Sequence, residues 1–413
     1  MSPATSAARV AVRAGRVITC VNDDAFAGGA IDDGVVVVEA GRVAWIGRAT
    51  ECPAGLRETV TLAGAPGGGL LTPGLVDAHT HAAFVGSRHA EYAVRMAGGD
   101  YEAIAKAGGG ILSSHRAIAA ASEDAIAEEL CARLARMAAL GVTTVEVKSG
   151  YGLTEEHELK QLRAIARAAS KPGLPRVVPT FLALHALPPN ADRAAFVETV
   201  VERTLPAVAE AKLARFVDAY VDRNAFRVDE ARLLGVRARS LGLDVRLHVG
   251  QFADIGGAAL AAELSALSVD HVEHVGDDGA AALAKAGVTA VLLPIASFTL
   301  AQAPPDVALL RRHGVPLAVA SDANPGTAPT ESLPLAMALA ARLYGLSTEE
   351  IWLGVTRRAA ASLALPTHGQ LKVGAPADLT VWDLPHEAAL LQPWGSPRAV
   401  HVMRDGVWLV GGA

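Results

Sequence analysis

The sequence predicts an α/β protein, a (β/α)8 TIM-like barrel with a small β-sandwich domain built from both chain termini. Three observations predict this fold. The middle of the 413-residue chain alternates eight short apolar runs with alanine-rich helical stretches. Both ends are rich in β-branched residues, and polar side chains suited to catalysis or metal binding follow most of the apolar runs. Apolar residues make up 51% of the chain, enough for one large core and a smaller second one.

The two ends of the chain carry the strand signals. The stretch DDGVVVVEAGRVAWIG predicts two strands about a turn between Glu39 and Arg42, because β-branched residues dominate it. Near the other end, GAPADLTVWD predicts one strand. The stretch RAVHVMRDGVWLVGG predicts a hairpin, since its Asp405-Gly406 pair suits a tight turn. We expect the β-sandwich to combine these two ends.

The middle of the chain is predicted to form the barrel. Its eight apolar runs are GLVDAHTH, TTVEVKSG, RVVPTFLALH, RFVDAYVDR, DVRLHVG, SVDHVEHV, TAVLLPIAS and PLAVASDAN. Alternating strands and helices of this length favour parallel β/α units. A doubly wound sheet is the alternative, but it normally has a glycine-rich phosphate loop after its first strand, and the sequence shows none. We expect the sandwich to span residues 1–72 and 366–413, and the barrel residues 73–365.

A barrel places its active site where the strands end, at the C-terminal rim. Seven of the eight runs end in polar, potentially catalytic residues: His79, His81, Lys148, Tyr151, His185, Asp222, His248, Gln251, His271 and Asp322. This arrangement predicts a polar catalytic site at the rim.

Four of these residues predict a metal site. His79 and His81 are two residues apart on the first strand, so their side chains point to the same face. With His248 on the fifth strand and Asp322 on the eighth, they supply three nitrogens and one oxygen, a ligand set typical of a catalytic metal. Taken alone, His248 also fits a core histidine and Asp322 in SDANPGT a turn residue. Taken together, the four residues favour a metal site.

These motifs resemble those of the amidohydrolase superfamily, in TPGLVDAHTH, the histidine that ends the fifth run, and SDANPGT. Within that superfamily, FVGSRHAEY, AGGGI, GVTTVEVKSGYGL, FLALHALP, SVDHVEHV and NPGTAPTESLPLAMALA resemble the imidazolonepropionase family, and the resemblance covers essentially the whole chain. It implies a metal-dependent hydrolase that opens the cyclic amide of 4-imidazolone-5-propanoate to N-formimino-L-glutamate, a reaction of histidine degradation.

The resemblance also implies roles for individual residues. Asp322 would ligate the metal and transfer a proton, and His271 would orient the attacking water or stabilise an oxyanion. Arg88 would bind the propanoate carboxylate. The full set of residues expected to bind substrate is Arg88, Tyr151, His185, Gln251, Asn324, Gly326 and Thr327.

Three residues raise questions within the resemblance. The fifth run ends HVGQ, and Gln251 cannot act as a base where relatives often carry glutamate. The fourth ends YVDR where relatives usually carry Cys-Glu, which leaves Asp222 without a role. Lys148 suggests a second metal bridged by a carboxylated lysine, but cousins carry that lysine on strand four. We therefore expect one metal ion per subunit, zinc or iron, between which the ligand set does not decide.

Charge and composition limit the classes of partner that we expect the protein to bind. The formal net charge is −6 with no long basic run, which argues against nucleic acid and acidic membranes as partners. No apolar stretch reaches the roughly 18 to 20 residues of a membrane helix. The three scattered cysteines fit a reducing cytoplasm. We expect a small-molecule substrate and a homodimer, the commonest oligomer. The alternatives are another cyclic-amide hydrolase or deaminase of the superfamily, or a noncatalytic metal-binding barrel.

Overall fold

The computed structural model describes residues 9–22, 29–57, 60–63, 68–98 and 109–412. Its strands are β1 Val10–Ile18, β2 Ala30–Glu39, β3 Arg42–Arg48, β4 Val60–Ala63, β5 Leu70–Pro73, β6 Leu75–Asp77, β7 Val142–Lys148, β8 Arg176–Leu184, β9 Phe216–Val221, β10 Asp244–Val249, β11 Ser268–His271, β12 Thr289–Leu292, β13 Leu317–Val319, β14 Leu379–Trp382, β15 Ala399–Arg404 and β16 Val407–Val410.

The α-helices lie mainly between the barrel strands. They span Ala54–Arg57, His89–Met96, Ile111–Ala120, Glu123–Ala139, Glu155–Ala169, Arg193–Thr199, Leu205–Glu210, Val228–Ser240, Gly257–Glu263, Asp277–Ala286, Pro294–Leu300, Val307–His313, Leu333–Tyr344, Thr348–Gly354 and Arg357–Ser362. A π-helical turn, Val200–Thr204, joins two of them, and 3-10 turns span Ala49–Glu51 and Glu387–Leu391. Among the described residues, the structure contains no helix with the length and apolarity needed to span a bilayer.

One sheet brings the two ends of the chain together. Its strands lie in the order β16-β15-β14-β5-β1-β2-β3, with β4 also pairing with β1, and the ends meet where β14 runs antiparallel to β5. Both predicted hairpins are confirmed. The turn residues Ala40-Gly41 and Asp405-Gly406 all have positive φ, as expected for tight turns whose twist matches that of the strands.

The second sheet is the predicted barrel. Strands β6 to β13 are all parallel and follow one another in chain order. All eight predicted runs coincide with them, and the α/β barrel fold is confirmed. A parallel bridge between Thr80 and Ala323 joins the first strand to the last. His81 N donates to Ala323 O at 3.0 Å, and Asp322 N donates to His79 O at 3.1 Å. Barrel closure therefore brings together three of the four predicted ligands.

The side chains between the barrel strands and the helices are apolar, whereas the interior of the barrel also contains charged side chains. Valine, leucine and alanine side chains of the strands pack against the surrounding helices in one large cluster. The interior instead contains five fully buried charged side chains, Glu146, Lys148, Asp218, Arg246 and Asp270. Because buried charges are stable only when paired, this layer predicts an internal salt-bridge network under the rim.

Candidate metal centre and active site

The four predicted metal ligands converge at the C-terminal rim. The Oδ1 atom of Asp322 lies 3.5 Å from both His79 Nε2 and His81 Nε2. The Nε2 atoms of His81 and His248 are 3.4 Å apart. Ligands placed tetrahedrally around zinc, at about 2.0–2.1 Å from it, are about 3.3–3.4 Å apart. The spacing of these atoms therefore fits a tetrahedral metal ion.

The hydrogen bonds of the cluster support the same interpretation. His79 Nε2 and Asp322 Oδ1 are buried and have no hydrogen-bond partner, although buried polar atoms nearly always have one. A metal ion bound among the four residues would satisfy both atoms. The donor set, three imidazole nitrogens and one carboxylate oxygen, also suits such an ion.

Burial sets the protonation states of the ligands. It lowers the pKa values of His79, His81 and His248, so the rings are neutral at neutral pH, the form in which imidazole binds metals. It raises the pKa of Asp322 to about 7 in the metal-free protein. Three ligands are thus ready to bind, and the fourth titrates near neutral pH.

Two buried carboxylates hold the ligand rings from behind. Asp270 Oδ2 lies 2.7 Å from His79 Nδ1, and Asp218 Oδ1 lies 3.1 Å from His248 Nδ1. Each ring thus presents Nε2 to the centre, because its Nδ1 is engaged by a carboxylate. Sequence analysis missed both aspartates. Asp218 lies four residues before Asp222, an even spacing along the same predicted strand, so strand alternation could have indicated it.

Lys148 belongs to this internal network. Its Nζ donates to Glu146 Oε1 and Asp218 Oδ2, both at 2.9 Å, and lies 3.6 Å from Asp270 Oδ2. Burial alone would lower the pKa of Lys148, but these carboxylates raise it, so the side chain is an ammonium ion. Carboxylation needs a neutral amine, and the position of Lys148 among three carboxylates argues against the two-metal alternative.

A cavity opens above the ligand cluster. It is lined by His81, Arg88, Ile111, Tyr151, His185, Tyr220, His248, Gln251, Phe252, His271, Asp322, Asn324 and Thr327. Six of the seven residues expected to bind substrate are in this set, and the seventh, Gly326, lies against Arg88. The structure therefore gathers the predicted binding residues around one space.

His185 and Tyr151 form one wall of the cavity. His185 Nδ1 lies 2.8 Å from Gly150 O, to which it donates when its proton is on Nδ1. Burial lowers the pKa of His185 to about 4, so the ring is neutral and Nε2 remains as an acceptor. The His185 ring stacks against His81 with centroids 5.3 Å apart. This wall can accept a hydrogen bond from a ring N–H.

Two side chains, Glu158 and Gln161, hold the loop that carries Tyr151 by hydrogen bonds to its backbone. Glu158 accepts hydrogen bonds from Gly150 N at 2.9 Å and Leu153 N at 2.8 Å. Gln161 accepts from Tyr151 N at 3.2 Å. Both side chains come from the helix Glu155–Ala169, and no sequence pattern marked them. They fix the backbone that carries Tyr151.

Arg88 lies on another side of the cavity, as expected, but it is also paired. Its Nε and Nη2 atoms donate to Glu91 Oε2 at 2.9 and 2.7 Å. A side chain on Gly326 would collide with the guanidinium, which explains why glycine stands there. Gly326 thus gives Arg88 its space.

The Asn324 side chain is engaged within its own turn. Its Oδ1 accepts from Gly326 N and Thr327 N at 2.8 and 2.7 Å, and its Nδ2 donates to Asp322 O and Thr327 Oγ1 at 2.7 and 2.9 Å. These four bonds use the whole carboxamide. Asn324 therefore shapes the turn after Asp322, as its residue type favours, and its expected contact with substrate stays a prediction.

His271 lies beside the ligand cluster in a strained backbone. Its φ is 84°, and that of the β-branched Val272 is 68°, a combination found mainly at functional sites. Its Nδ1 lies 3.7 Å from Glu273 Oε2. Burial alone would lower the pKa of His271, but Glu273 and Asp322 raise it. Glu273, which sequence analysis missed, in turn accepts from Ser297 Oγ at 2.8 Å.

Asp222 now has a structural explanation. Its Oδ2 accepts from Phe252 N at 2.9 Å, and its Oδ1 accepts from Arg223 N at 2.7 Å. The side chain therefore ties the end of β9 to the loop after β10 that carries Gln251.

Comparisons with known proteins agree with this site. The model of the amidohydrolase family matches residues 93–410. An imidazolonepropionase of Acidiphilium cryptum (strain JF-5) is 47% identical over 375 residues, covering 90% of this chain and 92% of the relative. One of Polaromonas sp. (strain JS666 / ATCC BAA-500) is 45% identical over 378 residues, covering 91% and 88%.

Solved structures show the same fold at low identity. An adenosine deaminase from Xanthomonas campestris with bound zinc is 16% identical, with a TM-score of 0.71 over 98% of this chain and 93% of that one. An atrazine chlorohydrolase from Arthrobacter aurescens complexed with zinc is 17% identical, with a TM-score of 0.71 over 97% and 95%. Because sequence identity to the curated relatives is far higher and spans about nine-tenths of both chains, the chain belongs to the imidazolonepropionase family of amidohydrolases.

Proposed function

We propose that the chain hydrolyses 4-imidazolone-5-propanoate to N-formimino-L-glutamate in histidine degradation. The observation that carries this proposal is the convergence of His79, His81, His248 and Asp322 at the floor of a cavity whose walls hold Arg88 and His185. A ligand cluster supports hydrolysis, and a buried arginine beside it suits an anionic substrate. The family relatives carry the name of this activity.

The four ligands would hold one metal ion, zinc or iron, per subunit. When bound, such an ion polarises a carbonyl oxygen and lowers the pKa of a water molecule toward neutrality. Arg88 binds the propanoate carboxylate, and His185 Nε2 accepts a hydrogen bond from the ring N–H. These contacts place the ring carbonyl above Asp322.

Proton transfer falls to Asp322 and His271. Water adds to the ring carbonyl carbon, the ring C–N bond breaks, and the departing nitrogen gains a proton. Asp322 takes the proton from the attacking water and delivers it to that nitrogen, because its carboxylate lies within the ligand cluster at the floor of the cavity. His271 stabilises the developing negative charge on the carbonyl oxygen through a hydrogen bond.

The test follows the absorbance of freshly prepared 4-imidazolone-5-propanoate while the metal content of the same sample is measured. Wild-type protein should consume the substrate, lose activity on chelation and regain it with added zinc or iron(II). His79→Ala and Asp322→Ala should abolish turnover. A fully metallated wild-type protein that leaves the substrate intact would overturn the proposed substrate.

Two further expectations concern the whole protein. The three cysteines, Cys20, Cys52 and Cys131, are free thiols, which suits a reducing compartment such as the cytoplasm. We also infer a homodimer, in keeping with the prevalence of that assembly. Light scattering of the purified protein tests the second expectation directly.

A further inference from the structure

Tyr220 on strand β9 and Gln251 in the loop after strand β10 meet in the structure. Tyr220, from the YVDR run on β9, donates its hydroxyl hydrogen to Gln251 Oε1 at 2.6 Å. The two strands are parallel neighbours, with Tyr220 opposite His248 in the register. Both Tyr220 and Gln251 line the cavity above the ligand cluster. Tyr220 and Gln251 thus form one contact inside the candidate active site.

The main chain around Gln251 is held as well. Gln302 Nε2 donates to the backbone oxygen of Gln251 at 3.0 Å. Phe252 N donates to Asp222 Oδ2 at 2.9 Å, so the next residue is tied back to strand β9. Gln251 is 6% exposed. Its main chain is therefore held by two contacts, and its Oε1 atom faces the Tyr220 hydroxyl.

This orientation has a chemical consequence. A carboxamide has one acceptor end and one donor end, and a phenol hydroxyl that occupies the acceptor end leaves the NH2 group to the cavity. A carboxamide is also not basic enough to accept a proton in the reaction. Gln251 therefore acts as a hydrogen-bond donor, and proton transfer stays with Asp322 and His271.

His185, which lines the same cavity, is complementary to Gln251. His185 Nε2 is an acceptor because Nδ1 is engaged by Gly150 O. An acceptor on one side and a donor on the other suit a ring that has both an N–H group and an unprotonated nitrogen or carbonyl oxygen. An imidazolone has this combination.

We propose that Tyr220 is a positioning residue that fixes Gln251 as a donor to an acceptor atom of the substrate ring. This inference rests on the proposed function, which supplies the ring. Because Tyr220 acts through Gln251, its removal should have no effect once the Gln251 carboxamide is gone.

The experiment is a double-mutant cycle with 4-imidazolone-5-propanoate as substrate. Tyr220→Phe keeps the ring and removes only the hydroxyl, so KM should rise about tenfold with kcat changed less than about threefold, the size expected for one lost hydrogen bond. Gln251→Leu should raise KM further. The double variant should match Gln251→Leu alone. Tyr92→Phe, which removes a hydroxyl from a partly exposed helix, is the matched control and should behave as wild type.

Gln251→Glu separates a donor from an acceptor. The glutamate keeps an oxygen for Tyr220 but loses the N–H donors, so its KM should rise as in Gln251→Leu at a pH where the carboxylate is ionised. Wild-type KM in Gln251→Glu, additive losses in the double variant, or an unchanged Tyr220→Phe would each overturn the inference while leaving the proposed function intact. A wild-type protein that leaves the substrate intact overturns both. Thermal melting of each variant, expected at the wild-type midpoint, shows that the fold is unchanged.

Discussion

The Oδ2 atom of Asp270 lies 2.7 Å from Nδ1 of His79 and 3.3 Å from Nη2 of Arg246. One buried carboxylate thus joins a metal ligand to the charged interior of the barrel. Arg246 also donates to Ala78 O at 2.7 Å, next to His79 in the chain. The orientation of the His79 ring is therefore set by residues below the rim, out of reach of substrate.

Asp270→Asn should weaken metal binding. The amide is a poorer partner for the Nδ1 proton of His79, and loss of such an outer contact typically costs about 10-fold to 100-fold in metal affinity. Zinc affinity is measured by competition with a chelator of known strength. Asp244→Asn, at the exposed start of the same barrel region, is the control and should bind zinc as wild type does. Equal affinity in both variants would show that Asp270 does not support the ligand.

The pH dependence of metal affinity should report one proton. The pKa of Asp322 is raised to about 7, so below that pH the metal-free carboxyl is protonated and an incoming ion must displace the proton. Affinity should fall about tenfold per pH unit between pH 7 and 6. The pKa values of His79 and His81 are lowered well below the ordinary value and that of His248 is also lowered, so the imidazoles should add less to the pH dependence than the carboxyl group does.

The measurement is a zinc titration at several pH values between 6.0 and 7.5. Imidazoles with the ordinary pKa of about 6.5 would give a clearly steeper dependence, because each would also have to lose a proton. Asp322→Asn should bind more weakly and show a nearly flat profile. A profile equally steep in wild type and variant would rule out Asp322 as the titrating ligand.

Lys148→Met should destabilise the protein. The substitution leaves Glu146 and Asp218 buried without their cation, and removing one partner of a buried ion pair costs about 3–5 kcal/mol. The free energy of unfolding is measured by denaturant titration. Lys285→Met, on an exposed helix position, is the control and should change stability by less than about 0.5 kcal/mol. Similar stabilities for the two variants would contradict the network.

Glu158→Gln should impair substrate binding from behind the cavity wall. The glutamine has one acceptor oxygen for the two backbone N–H groups that Glu158 satisfies. The loop that carries Tyr151, and with it the contact between Gly150 O and His185, should therefore shift. We expect KM to rise about tenfold, the effect of about 1.4 kcal/mol. Glu156→Gln makes the same change on the exposed face of the same helix and should leave KM unchanged. Equal KM values would show that the loop holds its shape without Glu158.

Arg88→Ala should chiefly raise KM. A charge-assisted contact with a carboxylate contributes about 1.5–3 kcal/mol, which corresponds to about a 10-fold to 100-fold change. Steady-state kinetics with 4-imidazolone-5-propanoate give both constants, and Arg312→Ala, at a mostly exposed arginine, is the control. A loss confined to kcat would assign Arg88 to the chemical step instead of to binding.

The sequence by itself determined the barrel fold and which histidines and aspartate meet at its rim. The eight apolar runs are the eight barrel strands, and the Asp405-Gly406 turn forms as expected, because these features depend on local periodicity and turn preference. The pairing of His79 with His81 follows from the two-residue repeat of a strand. His248 and Asp322 join them because parallel strands of a barrel end at one rim.

The tertiary structure decided which buried residues support the predicted site and how its polar side chains are oriented. Asp270 contacts His79, 191 positions away in the chain, and Lys148 contacts Asp218, 70 positions away, and such contacts leave no periodic pattern in the sequence. The role of Asn324 depended on which of its hydrogen bonds the turn uses. The orientation of Gln251 likewise depended on Tyr220, a residue 31 positions earlier that only the pairing of neighbouring strands brings within 2.6 Å. Local propensity selects strands and turns, whereas the partners of buried polar groups are selected by packing.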